Sequence, residues 1–342
     1  MLNGVLVEAS VHFFEGVEKL LEIWFDDSDN EDYDLRRIPR ANWETLLQAV
    51  KCEIISFSKN DAIDAYVLSE SSMFVSKRRW ILKTCGSTTL LKSLKPLLEL
   101  VPQYGFNEIT DMFYSRKNFS RPELQAFPHR GFCEEVEYLD TLFEEGRSYC
   151  LGSINRECWY LYTFSTNKHI KRPPRIHESS EPDQTIEILM QNLDNEIMCK
   201  FSKEKFSTSA EVTKATGIDK LLPDMDIDDF LFDPCGYSMN GISANGEYMT
   251  IHITPESNFS YVSFESNVSR NNYAELINRV VKTFKPGKFV ITIFANKTSP
   301  AYATMKELEL EYTEVTSWKR SNMQYCSFPL YNLLFAQFCQ CA

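Results

Sequence analysis

The chain reads as an α+β protein: a four-layer α/β/β/α sandwich of two antiparallel sheets with helices on the outer faces, built as two similar halves. Three observations predict this. Strand-like runs pair as hairpins in both halves, and hairpin connections imply antiparallel sheets with helices segregated to one face. In each half a helix stripe and then a further strand follow the hairpin, so two such layers back to back give four. Phe and Tyr are plentiful, at 24 and 16, against only 12 Gly in 342 residues, which favours a packed, sheet-rich protein.

The elements follow in order. HFFEGVEKLLEIWF puts Phe13, Val17, Leu20, Leu21 and Trp24 on one stripe and predicts an amphipathic helix. The acidic run DDSDNEDYD after it reads as a solvated loop. Strands are predicted at CEIISFS, AYVLSE, SMFVS and RWILKTC. A helix is predicted from Thr88, with Leu90, Leu91, Leu94, Leu97, Leu98 and Val101 aligned and Pro96 imposing a kink or an early end. Another helix near residues 134–143 precedes the strands SYCLGS and CWYLYTF, which close the first half, about 1–164. STNKHIKRPPRIHESSEPDQ, with its proline pair, is read as the loop 165–182 that joins the halves. In the second half, 183–342, EYMTIHITP and YVSFES form a hairpin. Tyr273, Leu276, Ile277, Val280, Val281 and Phe284 then make a helix that stops before Pro286-Gly287. KFVITIF is a buried strand and LELEY a half-exposed one, and the whole is read as a single catalytic domain.

A net charge of −12 argues against a phosphate-binding surface and suits cationic or amine ligands. The basic cluster KHIKRPPRIH is read as a solvated loop on an acidic protein rather than as a nucleic-acid patch. Ten cysteines (52, 85, 133, 150, 158, 199, 235, 326, 339, 341) form no CxxC pair, so free thiols in a reducing cytosol are expected and zinc is not. MLNGVLVEAS lacks the charged and apolar regions of a secretory signal, and no apolar run is long enough for a membrane span.

Among five histidines, His12, His129, His169 and His177 fall in loops or at helix starts without evident partners. In TIHIT, strand alternation puts His252 on one polar face with Thr250, Thr254 and Glu256, facing either solvent or a site. Asp183, Thr185 and Glu187 alternate against Ile186, Ile188 and Met190; either the strand is an exposed edge, or the carboxylates face inward and demand a buried cation. Cys85 ends a strand, where a lone cysteine is usually core filling. FDPCGYSMNG reads as a glycine-bearing turn that presents Ser238.

The runs HFFEGVEKLLE, YVLSESSMFVSKRRWILKTCG, FYSRKNF, CWYLY, PDQTIEILM, FDPCGYSMNG, TIHITPE, YVSFE and FKPGKFV, in that order, closely resemble the eukaryotic S-adenosylmethionine decarboxylases of animal type. Departures are confined to the residues before His12, the KHIKRPPRIHESSE loop and the end after Tyr331. The resemblance implies that family's sandwich, its role in polyamine synthesis and a pyruvoyl cofactor made from Ser71, with no metal and no pyridoxal phosphate. Such a carbonyl forms a Schiff base with the substrate amine and absorbs the electron pair left at Cα. Cleavage between Glu70 and Ser71 would give a β chain of 1–70 and an α chain of 71–342. Spacing alone does not choose Ser71 over Ser69 or Ser72; the choice comes from the family's LSESS motif.

By the same resemblance His252 is the processing base, supported by Ser238, and Cys85 is the acid that protonates Cα, with a thiol near its normal pKa. Phe14 and Phe232 sandwich the adenine, Glu256 binds the ribose hydroxyls, Glu70 stays near the adenine, and Glu15 and Glu18 form an acidic active-site pair. Read as residues alone, Glu15 and Glu18 share one face of the predicted helix, and an acidic first turn favoured by the helix dipole is the preferred explanation. Asp183, Thr185, Glu187 and Glu265, lined by Phe113, Ser115, Phe294 and Tyr331, match the site for putrescine, expected as an activator. A dimer of processed protomers is expected by analogy. The alternatives are a processing-incompetent relative that regulates an active partner and a β-rich module that binds amines or nucleosides without catalysis.

Overall fold

The computed structural model describes residues 13–26, 33–166, 182–305 and 317–341. His12, His169, His177, most of the acidic run after Phe25, the basic loop between the halves and LELEY lie outside them. The first sheet holds β1 (Lys19–Phe25), β2 (Ile54–Lys59), β3 (Ile63–Leu68), β4 (Ser71–Ser76), β5 (Arg79–Thr84), β6 (Ile109–Lys117), β7 (Arg147–Gly152) and β8 (Cys158–Ser165). Its order is β2-β3-β4-β5-β1-β6-β8-β7. The second holds β9 (Gln184–Leu193), β10 (Asp226–Leu231), β11 (Tyr237–Ile242), β12 (Tyr248–Thr254), β13 (Tyr261–Ser266), β14 (Pro286–Asn296), β15 (Trp318–Ser327) and β16 (Tyr331–Gln340). Its order, β10-β11-β12-β13-β9-β14-β16-β15, is the first order moved along by eight strands.

Alternation sorts the side chains of each strand into two layers. On the outer face of the first sheet Leu21, Ile23, Trp80, Leu82, Met112 and Tyr114 form one core with residues of α1 (Arg40–Ala49), α2 (Leu94–Leu100) and α3 (Phe132–Asp140). On the second sheet Ile186, Ile188, Met190, Ile251, Phe264 and Ile291 pack under α4 (Ser209–Thr216) and α5 (Ala274–Phe284). From α5 come Leu276, Ile277, Val280, Val281 and Phe284, the stripe expected from sequence; burying each is worth about 1.5–3 kcal/mol. The inner faces meet through Val17, Trp159 and Leu161 against Leu189, Val290, Leu333 and Phe335, and through Ile63, Phe74 and Ile81 against Ile242 and Tyr248. The layers are thus α/β/β/α, with thin helical layers. No helix among the described residues is long and apolar enough to cross a membrane.

Four expectations change. HFFEGVEKLLEIWF is not a helix: its second half is β1, an inner strand between β5 and β6. Leu21, Ile23 and Phe25 enter the outer core while Leu20 and Glu22 face the other sheet. With both faces buried, adjacent leucines imitate a helical stripe. Pro96 does not kink α2; it sits in the first turn, after a 3-10 turn over Leu90–Ser93, where its missing N–H costs nothing. The 183–187 segment is no exposed edge, because β9 lies between β13 and β14. His129 is fully buried with partners: Nδ1 lies 2.7 Å from Glu135 Oε1, and Nε2 accepts the N–H of Leu91 at 3.3 Å.

Candidate active site

β3 and β4 are joined by the two-residue turn Ser69-Glu70, which sets Leu68 opposite Ser71. A left-handed backbone angle falls on Ser71, with φ 122°. An L residue held there stores about 1–3 kcal/mol and persists only where its surroundings over-determine it. Here they do. Ser71 is buried and pairs with Thr84; Cys85 N–H donates to Glu70 O at 3.0 Å; Ser71 Oγ donates to Glu18 Oε1 at 2.5 Å. The neighbouring serines are occupied elsewhere. Ser69 Oγ accepts the N–H of Glu53 at 3.0 Å, and Ser72 Oγ donates to Asn240 Oδ1 at 2.7 Å.

The second sheet supplies the facing groups. Ser238 stands directly opposite His252 in the β11–β12 pairing; it is a strand residue, and the turn of FDPCG ends before it. His252 Nδ1 lies 2.8 Å from Ser238 Oγ, and Nε2 lies 2.8 Å from Thr250 Oγ1 and 3.0 Å from Ser72 Oγ. The alternation in TIHIT therefore does turn His252 toward the other sheet. Burial lowers the imidazole to about 4 although Glu18 draws it up, so it is a neutral base at neutral pH. Burial pushes Glu18 upward, but the Lys83 ammonium, with smaller help from His252 and hydroxyls, holds it below the usual carboxylate range.

Cys85 lies just past β5, its Sγ donating to Glu70 Oε2 at 3.7 Å. The thiol is not the ordinary one expected from sequence: burial, then the Glu70 and Glu18 carboxyls, push it well up, so it keeps its proton. Burial also raises Glu70 and Glu15. Glu15 is not brought to Ser71. Its Oε2 accepts the N–H groups of Ser120 and Arg121 at 2.8 and 3.0 Å, and its carbonyl accepts that of Gly86 at 2.8 Å. Nor do Glu15 and Glu18 share a helix face, since residues 13–18 form no regular element. Phe14 lies against Gly86, where an added Cβ would come within 3.1 Å of the ring and 3.0 Å of Glu70 Oε2. Phe232 follows β10, edge-on to Phe230 at 4.9 Å, and no ring contact joins it to Phe14 among the described residues. Glu256 Oε2 is buried without a hydrogen-bond partner among those residues.

Farther in, carboxylates outnumber cations. Among the described residues Glu18, Glu22, Asp183, Glu187 and Glu265 share two cations, Arg79 and Lys83. Lys83 Nζ lies 2.8 Å from Glu265, 3.1 Å from Glu187 and 3.4 Å from Glu18. Arg79 lies 2.9 Å from Glu22 and 3.4 Å from Asp183. Tyr248 Oη donates to Glu265 at 2.7 Å, and Trp159 Nε1 donates to Glu187 at 3.3 Å. Burial pushes Glu22 and Glu187 up to about 7 despite Arg79 and Lys83. Beside the cluster Phe294 stacks on Tyr331 at 4.6 Å, with Phe113 edge-on to both. Thr185 pairs with Phe294 across β9 and β14, and Ser115 is buried in β6.

A family model for adenosylmethionine decarboxylase matches residues 11–339. The chain belongs to the adenosylmethionine decarboxylase family. Curated S-adenosylmethionine decarboxylase proenzymes are similar over nearly the whole chain. That of Drosophila melanogaster is 65% identical over 97% of each chain. That of Xenopus laevis is 51% identical over 97% of this chain and 96% of its own. Among solved structures, a Trypanosoma brucei AdoMetDC-delta26 monomer superposes with a TM-score of 0.60 at 25% identity, covering 79% of this chain and 99% of that one.

Sequence reasoning missed Glu22, Arg79, Lys83, Asn240 and Tyr248. The alternation of RWILKT carries a signal for two of them: Trp80 and Leu82 enter the outer core, so Arg79 and Lys83 face the other sheet. Nothing local in the sequence says which carboxylates await them.

Proposed function

We propose that this decarboxylase cuts itself at Ser71 and keeps the new keto end as its electron acceptor, acting on S-adenosylmethionine to release CO2 and the aminopropyl donor for spermidine and spermine. The observation that carries this is Ser71 itself: a serine strained at φ 122°, its hydroxyl on Glu18 and the preceding carbonyl on an N–H. Ser71 Oγ attacks the Glu70 carbonyl carbon while Glu18 takes the hydroxyl proton. Cys85 N–H stands where negative charge collects on the carbonyl oxygen. Glu18 returns the hydroxyl proton to the nitrogen as the C–N bond breaks, leaving Glu70 esterified to Ser71 and a free amine. His252, neutral and positioned by Ser238, removes the Ser71 α-proton, and the Glu70 carboxylate departs with the ester electron pair. Water then replaces the nitrogen, released as ammonia, and the chain is divided into 1–70 and 71–342.

The pyruvoyl carbonyl so formed supplies the electrophile that condenses with the substrate amine and takes up the electron pair freed with CO2. The surrounding residues fit that group and its substrate. Cys85, kept protonated by burial, delivers the proton to Cα. Phe14 and Phe232 offer faces to the adenine and the sulfonium charge, and the partnerless Oε2 of Glu256 accepts from the ribose hydroxyls. Putrescine suits the cluster of Asp183, Glu187, Glu265 and Glu22, whose deficit of positive charge a diamine relieves. Lys83 touches both Glu265 and Glu18, and Glu18 holds Ser71, so the diamine is coupled to the cut through Lys83 and Glu18.

Electrospray mass of the purified protein tests the reading: a 1–70 fragment and an α chain with a pyruvoyl end are expected. Ser71→Ala should stay whole and release no CO2 from carboxyl-labelled substrate. Full activity from an uncut backbone overturns it.

A further inference from the structure

Lys19 is a buried charge to which none of these steps gives work. In β1 it lies between Thr84 of β5 and Arg116 of β6. It is fully buried, yet none of the ion pairs among the described residues includes it. Its ammonium donates to Gly86 O at 3.2 Å and stands 5.2 Å from the Phe119 ring centroid. Lys83, on the adjacent strand, has three carboxylates. An ammonium held by one carbonyl and a ring face is costly to bury. The charges that act on it most are those of the Cys85 and Cys52 thiols, Glu135 and Arg116, with Glu15, Glu70 and His129 also in its field. Burial brings the amine down to about 8, where it exchanges a proton readily near neutral pH.

What it holds is informative. Gly86 follows Cys85, and the same glycine borders the Glu70 carboxyl and the Phe14 ring. The one side-chain hydrogen bond that Lys19 makes among the described residues therefore ends at the wall of the pocket, one residue from the thiol. That thiol has a difficulty. After giving up a proton it is a buried thiolate beside the Glu70 carboxyl. Of the groups whose charge bears most on it (Glu70, Glu18, Lys19 and Cys52), only Lys19 favours the anion.

We propose that Lys19 is the positioning residue of the protonation step, stabilising the Cys85 thiolate as it forms and then returning a proton to its sulfur. The inference rests on reading Cys85 as the donor to Cα. The Cys85 S–H bond breaks, its proton joins the electron pair that CO2 leaves on Cα, and the sulfur keeps the bonding pair. An N–H bond of the Lys19 ammonium then breaks, its proton restores the thiol, and the amine is left neutral. Water that enters as product leaves recharges the amine.

Lys19→Met keeps length and stem, and Lys19→Arg keeps the charge without a proton to give near neutral pH. In a Ser71→Ala background, where no cofactor forms, iodoacetamide alkylation of the Cys85 peptide, read by mass at about pH 7, where the Lys19 ammonium stays charged, reports the thiolate directly. Lys19→Met should slow it at least about tenfold and Lys19→Arg by less than about threefold. Equal rates in Lys19→Met and its parent overturn the proposal. In self-cut enzyme, Lys19→Met should lower kcat about tenfold or more with KM within about twofold, and raise the number of chains ending in alanine at position 71 per turnover. Lys19→Arg should lose the alkaline fall of kcat near pH 8. An unchanged kcat and an unchanged alanine yield in Lys19→Met also overturn it. Should Lys19→Met fail to cut, alkylation decides alone. If the parent chain neither cuts nor releases CO2, the reading of the reaction fails rather than the role of Lys19.

Discussion

The two halves share a strand order but close the equivalent hairpin in different ways. In the second half β11 returns as β12 through residues 243–247, and Gly246 takes the left-handed backbone, with φ 81°. Glycine adopts that angle without steric cost. In the first half β3 returns as β4 through two residues, and the left-handed angle falls on Ser71. A relaxed turn fits this topology, since the other half has one. The strained version holds a buried serine hydroxyl on Glu18. The halves also divide the chemistry. The first brings the serine, the thiol and the cations Arg79 and Lys83; the second brings His252, Ser238 and the carboxylates Asp183, Glu187 and Glu265. Neither sheet is a site alone.

Removing the contribution of the second half should have the largest effect. His252→Ala leaves the strained turn intact and takes away the imidazole proposed as the base, so cutting should slow about 10²–10⁴-fold and stop at the ester. Hydroxylamine should then release the 1–70 fragment on a gel. A chain that stays whole in hydroxylamine would mean that His252 acts before the ester forms. Relaxing the first turn comes next. A glycine inserted between Ser69 and Glu70 frees about 1–3 kcal/mol of strain, so cutting should slow about 5–100-fold while Tm rises. Cutting at the parent rate would remove strain from the comparison.

The smallest effect concerns the acidic cluster of the interface. Glu22 and Glu187 hold their protons up to about 7 in the folded chain, whereas in the unfolded chain they lose them near 4.5. Between those values the folded state binds more protons, so their contribution to stability falls as pH rises and levels off above 7. Each such proton is worth about 1.4 kcal/mol per pH unit. In urea titrations Glu187→Gln should lose roughly 1–3 kcal/mol less than the parent between pH 5 and 8. Putrescine should stabilise the parent more at pH 8 than at pH 5. Equal slopes in the two proteins would exclude Glu187 from the pH dependence.

Much was legible where turn residues bounded a short apolar run or where a helix carried one apolar stripe. The strands β3 to β5 lie between such turns although both of their faces are buried, and the helix α5 buries its stripe; alternation put His252 on a polar face without saying what that face meets. β1 was misread because its adjacent leucines, buried on both faces, imitate a helical stripe, and Ser238 because a glycine turn stands just before its strand. Glu15 and Glu18 looked equivalent, yet one is tied to backbone N–H groups while the other holds Ser71. Lys83 and Arg79 went unnoticed because a buried cation is recognisable only beside its carboxylates.

By itself the sequence determined which chemical groups exist and in what order: the Glu70-Ser71 peptide, the thiol fourteen positions on, the imidazole in a second, similar half. Only the tertiary structure decided which of them meet. Ser71 finds Glu18 across 53 residues and Ser72 finds His252 across 180. The physical reason is range. Backbone propensity and alternation act over a few residues, whereas burial, charge pairing and the strain on one serine arise when two sheets pack face to face.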